Sequence, residues 1–312
     1  MFAYFSNLLP GEFCVLVEFL QLLVNGLVQS AVFALLAVGF TLIFGVTRTF
    51  HLAHGGVYVW AGYTGYFFYQ QLALPLWLSI LLACCATMLI GWLIEALVYR
   101  PLRSIDSGTQ LSKELVGLVT SLALLILMQN FAQILWGSGG LSLGSFNYTP
   151  FNFGGVTVAP LDMVNGILAI GLITSLSVFL RRSVAGQSLL AAMDDPMTAE
   201  VLGVNINKTY VIAMVLGSLL VVPPAIIYGI EYQLLPDSGT YLALTAFAAA
   251  LLGGLGSVRG AVAGSIVLGI ASALTVSFTS SRWTTTVVFG ILLVIVIIRP
   301  AGIFGRRAQQ RV

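Results

Sequence analysis

Long apolar runs alternate with short polar connections along almost the whole chain. A helix needs about 20 apolar residues to cross the hydrocarbon core of a bilayer, and nine runs approach or exceed that length. They cover residues 15–46, 56–72, 76–99, 115–136, 161–180, 210–232, 241–255, 261–278 and 284–298. The pattern predicts an all-α fold, a polytopic transmembrane helical bundle of about eight to nine spans.

Two of these runs, 56–72 and 241–255, are short and are flanked by glycine-rich turns. Broken or re-entrant helices are tolerated at membrane depth where protein or a water-filled cavity surrounds them. We therefore expect that either run can be re-entrant or broken rather than fully spanning.

Basic residues mark three polar segments, and their placement predicts the orientation of the bundle. Lys and Arg are enriched on the cytoplasmic side of membranes. The three segments carry Arg100, Arg103 and Lys113, then Arg181, Arg182 and Lys208, and finally Arg299, Arg306, Arg307 and Arg311. Placing all three inside lets the spans alternate, with the N-terminus outside and the C-terminus cytoplasmic. The connection 137–160 contains no basic residue and is predicted to lie outside.

Composition indicates the same class of protein. Of the 312 residues, 59% are hydrophobic and 8% are charged, whereas soluble domains carry about 25% charged residues. So little polar sequence remains that we predict a single transmembrane domain over residues 1–312. The net charge of +2, without a basic patch interleaved with aromatic residues, indicates that the chain does not bind nucleic acid.

No motif in the chain is typical of a catalytic, cofactor or metal site, so we do not expect an enzyme. Cys14, Cys84 and Cys85 have neither the spacing of a disulfide framework nor that of metal ligands. His51 and His54 lack a third ligand nearby. A phosphate-binding loop needs Gly-x-x-x-x-Gly-Lys-Ser/Thr, and neither lysine lies in such a motif. If ATP drives this protein, another chain must bind it.

The first apolar run contains a stripe of polar residues. Glu18, Gln21, Asn25 and Gln29 are spaced by three, four and four residues, which places them on one face of a helix. Polar groups at this depth either hydrogen-bond to neighbouring helices or line a water-filled path. Both interpretations remain open, and Gln21, Asn25 and Gln29 are therefore candidate pathway residues.

The longest polar interruption, residues 181–208, predicts a short helix at about 196–202. Asp195 is a preferred N-cap residue, Pro196 suits the first helical position, and Gly203 suits the position just past the end. Apolar and acidic side chains alternate around this helix, an arrangement that fits a groove on a soluble partner. The alternative interpretation is an ordinary capped loop.

A run of small residues occupies positions 251–265, without the β-α-β pattern of a dinucleotide-binding loop. Small residues let two helices approach closely. We therefore predict a tight helix contact here, and we expect Gly256→Leu to overpack it.

Several motifs, taken in their order along the chain, carry a resemblance to a known family. They are Asn25-Gly26, GVTRTFHLAHGGVYVWAGY at 45–63, YRPLR at 99–103, Gln129-Asn130, GQSLLAAMDDPMTAEVLGV at 186–204 and AFAAALLGGLGSVRGAVAGSIVLG at 246–269. The chain resembles the membrane permease subunit of ABC importers of the branched-chain amino acid type. That group also includes importers of urea and short-chain amides.

The resemblance implies a subunit of the bacterial inner membrane that forms half of a translocation pathway for branched-chain or other neutral amino acids. It implies three kinds of partner besides the lipid bilayer: a second homologous permease, two cytoplasmic ATP-binding subunits and an extracytoplasmic substrate-binding protein. ATP would be used by the partners, and this chain would bind no cofactor. Alternatives are a urea or short-chain amide permease, or a carrier or channel that works alone.

The resemblance also assigns roles to residues. Segment 181–208 becomes a cytoplasmic coupling loop, and the small Ala199 falls where the family packs against its ATPase. The implied coupling residues are Asp195, Pro196, Ala199, Glu200 and Gly203. The motifs add His54, Gln129 and Asn130 to the candidate pathway residues.

The chain departs from the family pattern at three places. The coupling loop of the family reads Glu-Ala-Ala, three residues, then Gly, and this chain has Met197-Thr198-Ala199 before Gly203. The family commonly has a carboxylate where this chain has Gly56. A Glu-Arg pair before YRPLR appears as Glu95-Ala96. These departures leave the implied architecture intact and bear on the substrate.

Overall fold

A computed structural model describes residues 11–104, 110–144, 148–299 and 302–303 of the chain. The predicted all-α bundle is confirmed. In lipid the backbone polar groups of a segment must be satisfied within it, so the apolar runs form helices. The helices are α1 (Gly11–Thr47), α2 (His54–Tyr66), α3 (Leu76–Ile94), α4 (Arg100–Ser104), α5 (Gln110–Trp136), α6 (Pro160–Arg182), α7 (Val184–Asp194), α8 (Pro196–Val201), α9 (Ile206–Leu220), α10 (Val222–Glu231), α11 (Ser238–Gly253), α12 (Val258–Phe278) and α13 (Thr284–Ile298).

Within the described residues, seven helical segments are long and apolar enough to cross a membrane. They are Val15–Thr47, Leu76–Ser104, Glu114–Trp136, Pro160–Arg182, Ile206–Glu231, Val258–Phe278 and Ser281–Ile298. The two runs that we singled out as short form the shorter helices α2 and α11. Helix α11 has 16 residues and is about 24 Å long, less than the roughly 30 Å of a hydrocarbon core. The count of eight to nine spans therefore stays a prediction.

The apolar run 210–232 falls almost entirely within one candidate span, Ile206–Glu231, but the helix is interrupted inside that span. Helix α9 ends at Leu220 and α10 begins at Val222. Pro223 and Pro224 follow the break. Proline lacks a backbone N–H and its ring clashes with the carbonyl one turn earlier, so the helix cannot pass through this dipeptide unbroken.

Helix α1 lies at the centre of the bundle. Its residues from Phe33 to Val46 are almost entirely buried, and it packs most extensively against α12, with further contacts to α9, α11 and α6. Helices α5, α6 and α13 are largely exposed along their apolar length. They therefore form the periphery that faces lipid or other subunits.

Small residues bring α12 close to its neighbours, as the run 251–265 predicted. A β-carbon at Gly26 of α1 would lie 2.9 Å from the Cα of Ile270. A β-carbon at Gly253 would overlap the carbonyl of Gly260. The explanation for Gly256 was wrong, because the nearest atom to a β-carbon there is 4.0 Å away. Its φ of +84° instead makes a side chain unfavourable through backbone strain.

The bundle has two distinct ends. Strands β1 (Phe151–Phe153) and β2 (Val156–Val158) form an antiparallel hairpin at one end, which we call the hairpin end. Gln21, near the start of α1, hydrogen-bonds to Thr157 of this hairpin. At the other end of α1, Arg48 donates to the carbonyl of Met193 in α7 at 2.6 Å. We call this the α8 end.

Candidate functional site

A cavity of about 700 Å³ opens between α1, α6, α10, α11 and α12. Most of its wall is apolar, and the apolar lining residues are Leu22, Val28, Val32, Phe33, Pro224, Ile227, Leu242, Ala273 and Val276. The polar lining residues are Asn25, Gln29, Asp162, Asn165, Tyr228, Glu231, Tyr232, Ser238, Tyr241 and Ser277. The cavity is therefore large enough for a small organic molecule and is amphipathic.

Acidic residues from two helices meet at the edge of the cavity nearest the hairpin. Asp162 lies in the first turn of α6, just after Pro160, and Glu231 is the last residue of α10. Both side chains line the cavity. Tyr148, in the connection before the hairpin, donates to Glu231 Oε1 at 3.5 Å. Burial, followed by the Glu231 charge, raises the pKa of Tyr148, so this phenol is a donor at neutral pH.

Asn165 lies one helical turn after Asp162, so both side chains are on one face of α6. It is only 2% exposed and lines the cavity. Its Oδ1 has no hydrogen-bond partner among the described residues. An unsatisfied buried polar atom typically costs about 1–3 kcal/mol, so this oxygen is an acceptor that lacks a donor among the described residues.

At the opposite end, α8 begins with the N-cap and the first residue that the sequence predicted. Asp195 Oδ1 accepts from the backbone N–H of Met197 at 3.0 Å, and its Oδ2 accepts from the Thr198 hydroxyl at 2.6 Å. Pro196 is the first helical residue. Gly203 has φ +90° and donates to the carbonyl of Glu200 at 2.9 Å. The helix ends at Val201, one residue before the predicted end.

The outer face of α8 and its C-cap presents apolar side chains. Met197, Val201 and Leu202 are 80%, 87% and 77% exposed. Ala199 is 2% exposed and packs inside its own chain. A partner contact made directly by Ala199 is therefore not available in this structure, because its neighbours in this chain already cover it.

Helix α7 connects this exposed face to the centre of the bundle. Leu189 and Ala192 are buried, and the Met193 side chain packs against Gly45 of α1. Together with the bond from Arg48 to the Met193 carbonyl, these contacts attach the α7–α8 pair to the end of α1. A force on α8 can therefore reach the helix that lines the cavity.

The profile of the family described as "Branched-chain amino acid transport system / permease component" matches residues 22–297. The chain belongs to this family. The permease is also similar to individual relatives from bacteria and an archaeon.

The high-affinity branched-chain amino acid transport system permease protein LivH of Salmonella typhimurium is 29% identical over 94% of this chain and 98% of its own length. BraD of Pseudomonas aeruginosa, described in the same words, is 29% identical over 95% of the chain and 98% of its own length. The probable LivH of Methanocaldococcus jannaschii is 24% identical over 91% of the chain and 92% of its own length. No solved structure shows a significant match to the permease.

The structure brings only some of the predicted pathway residues to the cavity. Asn25 and Gln29 line it. Gln21 instead accepts from the Thr157 backbone N–H at 2.7 Å and donates to Asn25 Oδ1 at 2.8 Å. Gln21 therefore holds the hairpin, whereas Asn25 and Gln29 face the cavity, and their role in a pathway stays a prediction.

The remaining predicted pathway residues lie outside the lining of this cavity. His54 is buried at the start of α2 against Gly39 of α1. Gln129 donates to the Thr240 hydroxyl at 2.9 Å and so joins α5 to α11. Asn130 donates to the carbonyl of Ile126 in its own helix at 2.7 Å. Their participation in transport stays a prediction.

His51 and His54 form part of a buried polar cluster in the permease. His51 Nδ1 lies 2.8 Å from the Tyr99 hydroxyl, and the two imidazole rings are 5.9 Å apart. Burial, and to a smaller extent the nearby His54, lowers the pKa of His51 well below its usual range. A neutral imidazole donates one hydrogen bond from its protonated nitrogen and accepts one at the other nitrogen. The contact with Tyr99 therefore fits a structural role.

The YRPLR motif forms an ion pair that the sequence did not reveal. Arg103 pairs with Glu95, which is 1% exposed, and its guanidinium lies 4.2 Å from the centre of the Tyr210 ring. These contacts join the α3–α4 segment to α9. The positive charge of Arg103 therefore compensates the buried negative charge of Glu95.

The sequence-based prediction missed Asp162, Asn165, Tyr228 and Glu231 as cavity residues. A signal was present, because polar residues in or beside an apolar span are expected to face the protein interior. Asp162 and Asn165 also have the i, i+3 spacing of one helix face. Only the packing of α6 beside α10, however, shows that they face the same cavity as Glu231.

Proposed function

We propose that this permease forms half of the translocation pathway of an ABC importer for branched-chain or other neutral amino acids. The observation that supports it most is the cavity, whose apolar walls suit an aliphatic side chain and whose polar edge suits the charged ends of an amino acid. The relatives LivH and BraD carry branched-chain amino acid transport in their names. A urea permease would require a smaller and more polar cavity.

In this proposal the coupling loop, residues 181–208, transmits the conformational change that ATP hydrolysis drives. The apolar face formed by Met197, Val201 and Leu202 docks in a groove on a cytoplasmic ATP-binding subunit. Asp195, Pro196 and Gly203 keep α8 short and rigid, and Glu200 lies on its exposed surface. Ala199 contributes by packing α8 onto its own chain. Motion of the ATPase then reaches α1 through α7.

The permease works with partners in the bacterial inner membrane and changes no covalent bond itself. A second homologous permease supplies the other half of the pathway, an extracytoplasmic binding protein delivers the substrate, and two ATPases consume ATP. The orientation has the hairpin end outside and the α8 end in the cytoplasm. The opposite placement of the hairpin and α8 along α1 supports this arrangement.

Uptake into proteoliposomes tests the proposal. We expect labelled leucine to accumulate when the complete complex, its binding protein and internal ATP are present, and not when ATP is replaced by a non-hydrolysable analogue. Permease reconstituted alone should move no leucine. Uptake of urea in preference to leucine, or leucine flux through the permease alone, would refute the proposed substrate class or the coupling, respectively.

A further inference from the structure

The polar edge of the cavity carries oxygen atoms that can accept hydrogen bonds. Asp162 and Glu231 supply carboxyl oxygens, and the unpartnered atom of Asn165 is its carbonyl oxygen. A carboxyl group presents oxygen acceptors and is negatively charged when it is ionised. The edge therefore favours a group that carries several N–H donors and a positive charge.

The rest of the cavity is unsuited to anionic ligands. Among the described residues that line it, none is Arg, Lys or His, so nothing there neutralises a phosphate or an isolated carboxylate. Asn25 and Gln29 line the cavity from α1, and their side chains offer amide N–H donors to a carboxylate. Apolar side chains make up most of the remaining wall.

We propose that Asp162, Glu231 and Asn165 bind the ammonium group of the transported amino acid inside the membrane subunit. This inference rests on the proposed function and deepens it, because it makes the permease itself a checkpoint for a primary ammonium. A primary ammonium has three N–H donors, which match two carboxyl groups and one amide oxygen. The side chain of the substrate then lies along the apolar wall.

Direct binding to the detergent-purified complex without its binding protein tests the inference. The probes are 3-methylbutylamine, which keeps the ammonium and the branched chain of leucine, and 4-methylpentanoate, which keeps the chain and the carboxylate only. We expect the amine to raise the Tm of the complex at millimolar concentration and the acid to have no effect. Equal shifts with both probes, or none with the amine, would overturn the inference.

Two variants separate recognition from folding. Glu231→Gln should lower the affinity for the amine about ten-fold or more, because hydrogen bonds to charged groups are among the strong ones. Asn165→Leu should do the same without lowering the Tm of the unliganded complex, since it removes a buried oxygen that has no partner in the chain. Asp237→Asn is the matched control, because this carboxylate is exposed at the same end and does not line the cavity.

The same proteins give a transport readout. We expect leucine uptake per complex to fall about ten-fold or more in Glu231→Gln and Asn165→Leu and to remain unchanged in Asp237→Asn. If the wild-type complex transports leucine and both variants keep undiminished uptake and amine binding, the ammonium subsite is refuted and the proposed function stands. Absence of amino acid uptake by the wild-type complex refutes the proposed function instead.

Discussion

The exposed face of α8 gives the sharpest prediction about coupling. Val201 and Leu202 are 87% and 77% exposed, so nearly all of their apolar surface is available to a partner. Burying an aliphatic side chain is worth about 1.5 kcal/mol or more, and replacing both with serine should remove about 3 kcal/mol of docking energy. That difference corresponds to roughly a hundredfold weaker binding of the ATPase subunit.

The stability of the permease should hardly change, because surface substitutions usually alter it by about 0.5 kcal/mol or less. The assay is co-purification of the ATPase with tagged Val201→Ser/Leu202→Ser permease, followed by titration of ATPase into permease proteoliposomes. Val184→Ser is the control, since Val184 is 83% exposed at the start of α7 and lies outside the α8 face. Wild-type ATPase affinity in the double variant would refute the docking role of α8.

Three further predictions concern packing, backbone conformation and orientation. Gly253→Leu should destabilise the bundle by about 1–3 kcal/mol because its side chain would overlap a facing backbone, whereas Gly171→Leu, with open space around it, should leave the Tm unchanged. Gly203→Val should strain the positive-φ C-cap of α8 by about 1–2 kcal/mol and weaken ATPase co-purification without loss of membrane insertion. In a background without native cysteines, Gly139→Cys should react with an impermeant thiol reagent from outside intact cells, and Asn207→Cys should react only after permeabilisation.

Each of these predictions has a contradicting result. Equal Tm values for the two leucine variants would mean that α11 and α12 do not approach closely. Gly203→Asn should keep ATPase binding, because asparagine tolerates the left-handed conformation, and equal losses in both variants would exclude strain as the cause. Labelling of Asn207→Cys from outside intact cells would show that the orientation is the reverse of the predicted one.

Local chemistry in the sequence was sufficient to predict the helices and several of their ends. Apolar runs of nearly span length form helices because lipid leaves the backbone no other partner. Asp195 and Gly203 delimit α8 because the carboxylate and the positive φ each act within one turn of the chain. The small residues at 251–265 predicted a close helix contact because they have little or no side chain to keep two helices apart.

The tertiary structure alone decided which polar residues share a cavity. Asp162 and Glu231 belong to different helices, and their carboxyl groups meet only because α6 packs beside α10. Ala199 turned out to be buried although it lies on an exposed loop, because packing against its own chain covers it. Helical spacing defines the face on which a side chain lies, but the neighbour that covers the face depends on how helices remote in sequence associate.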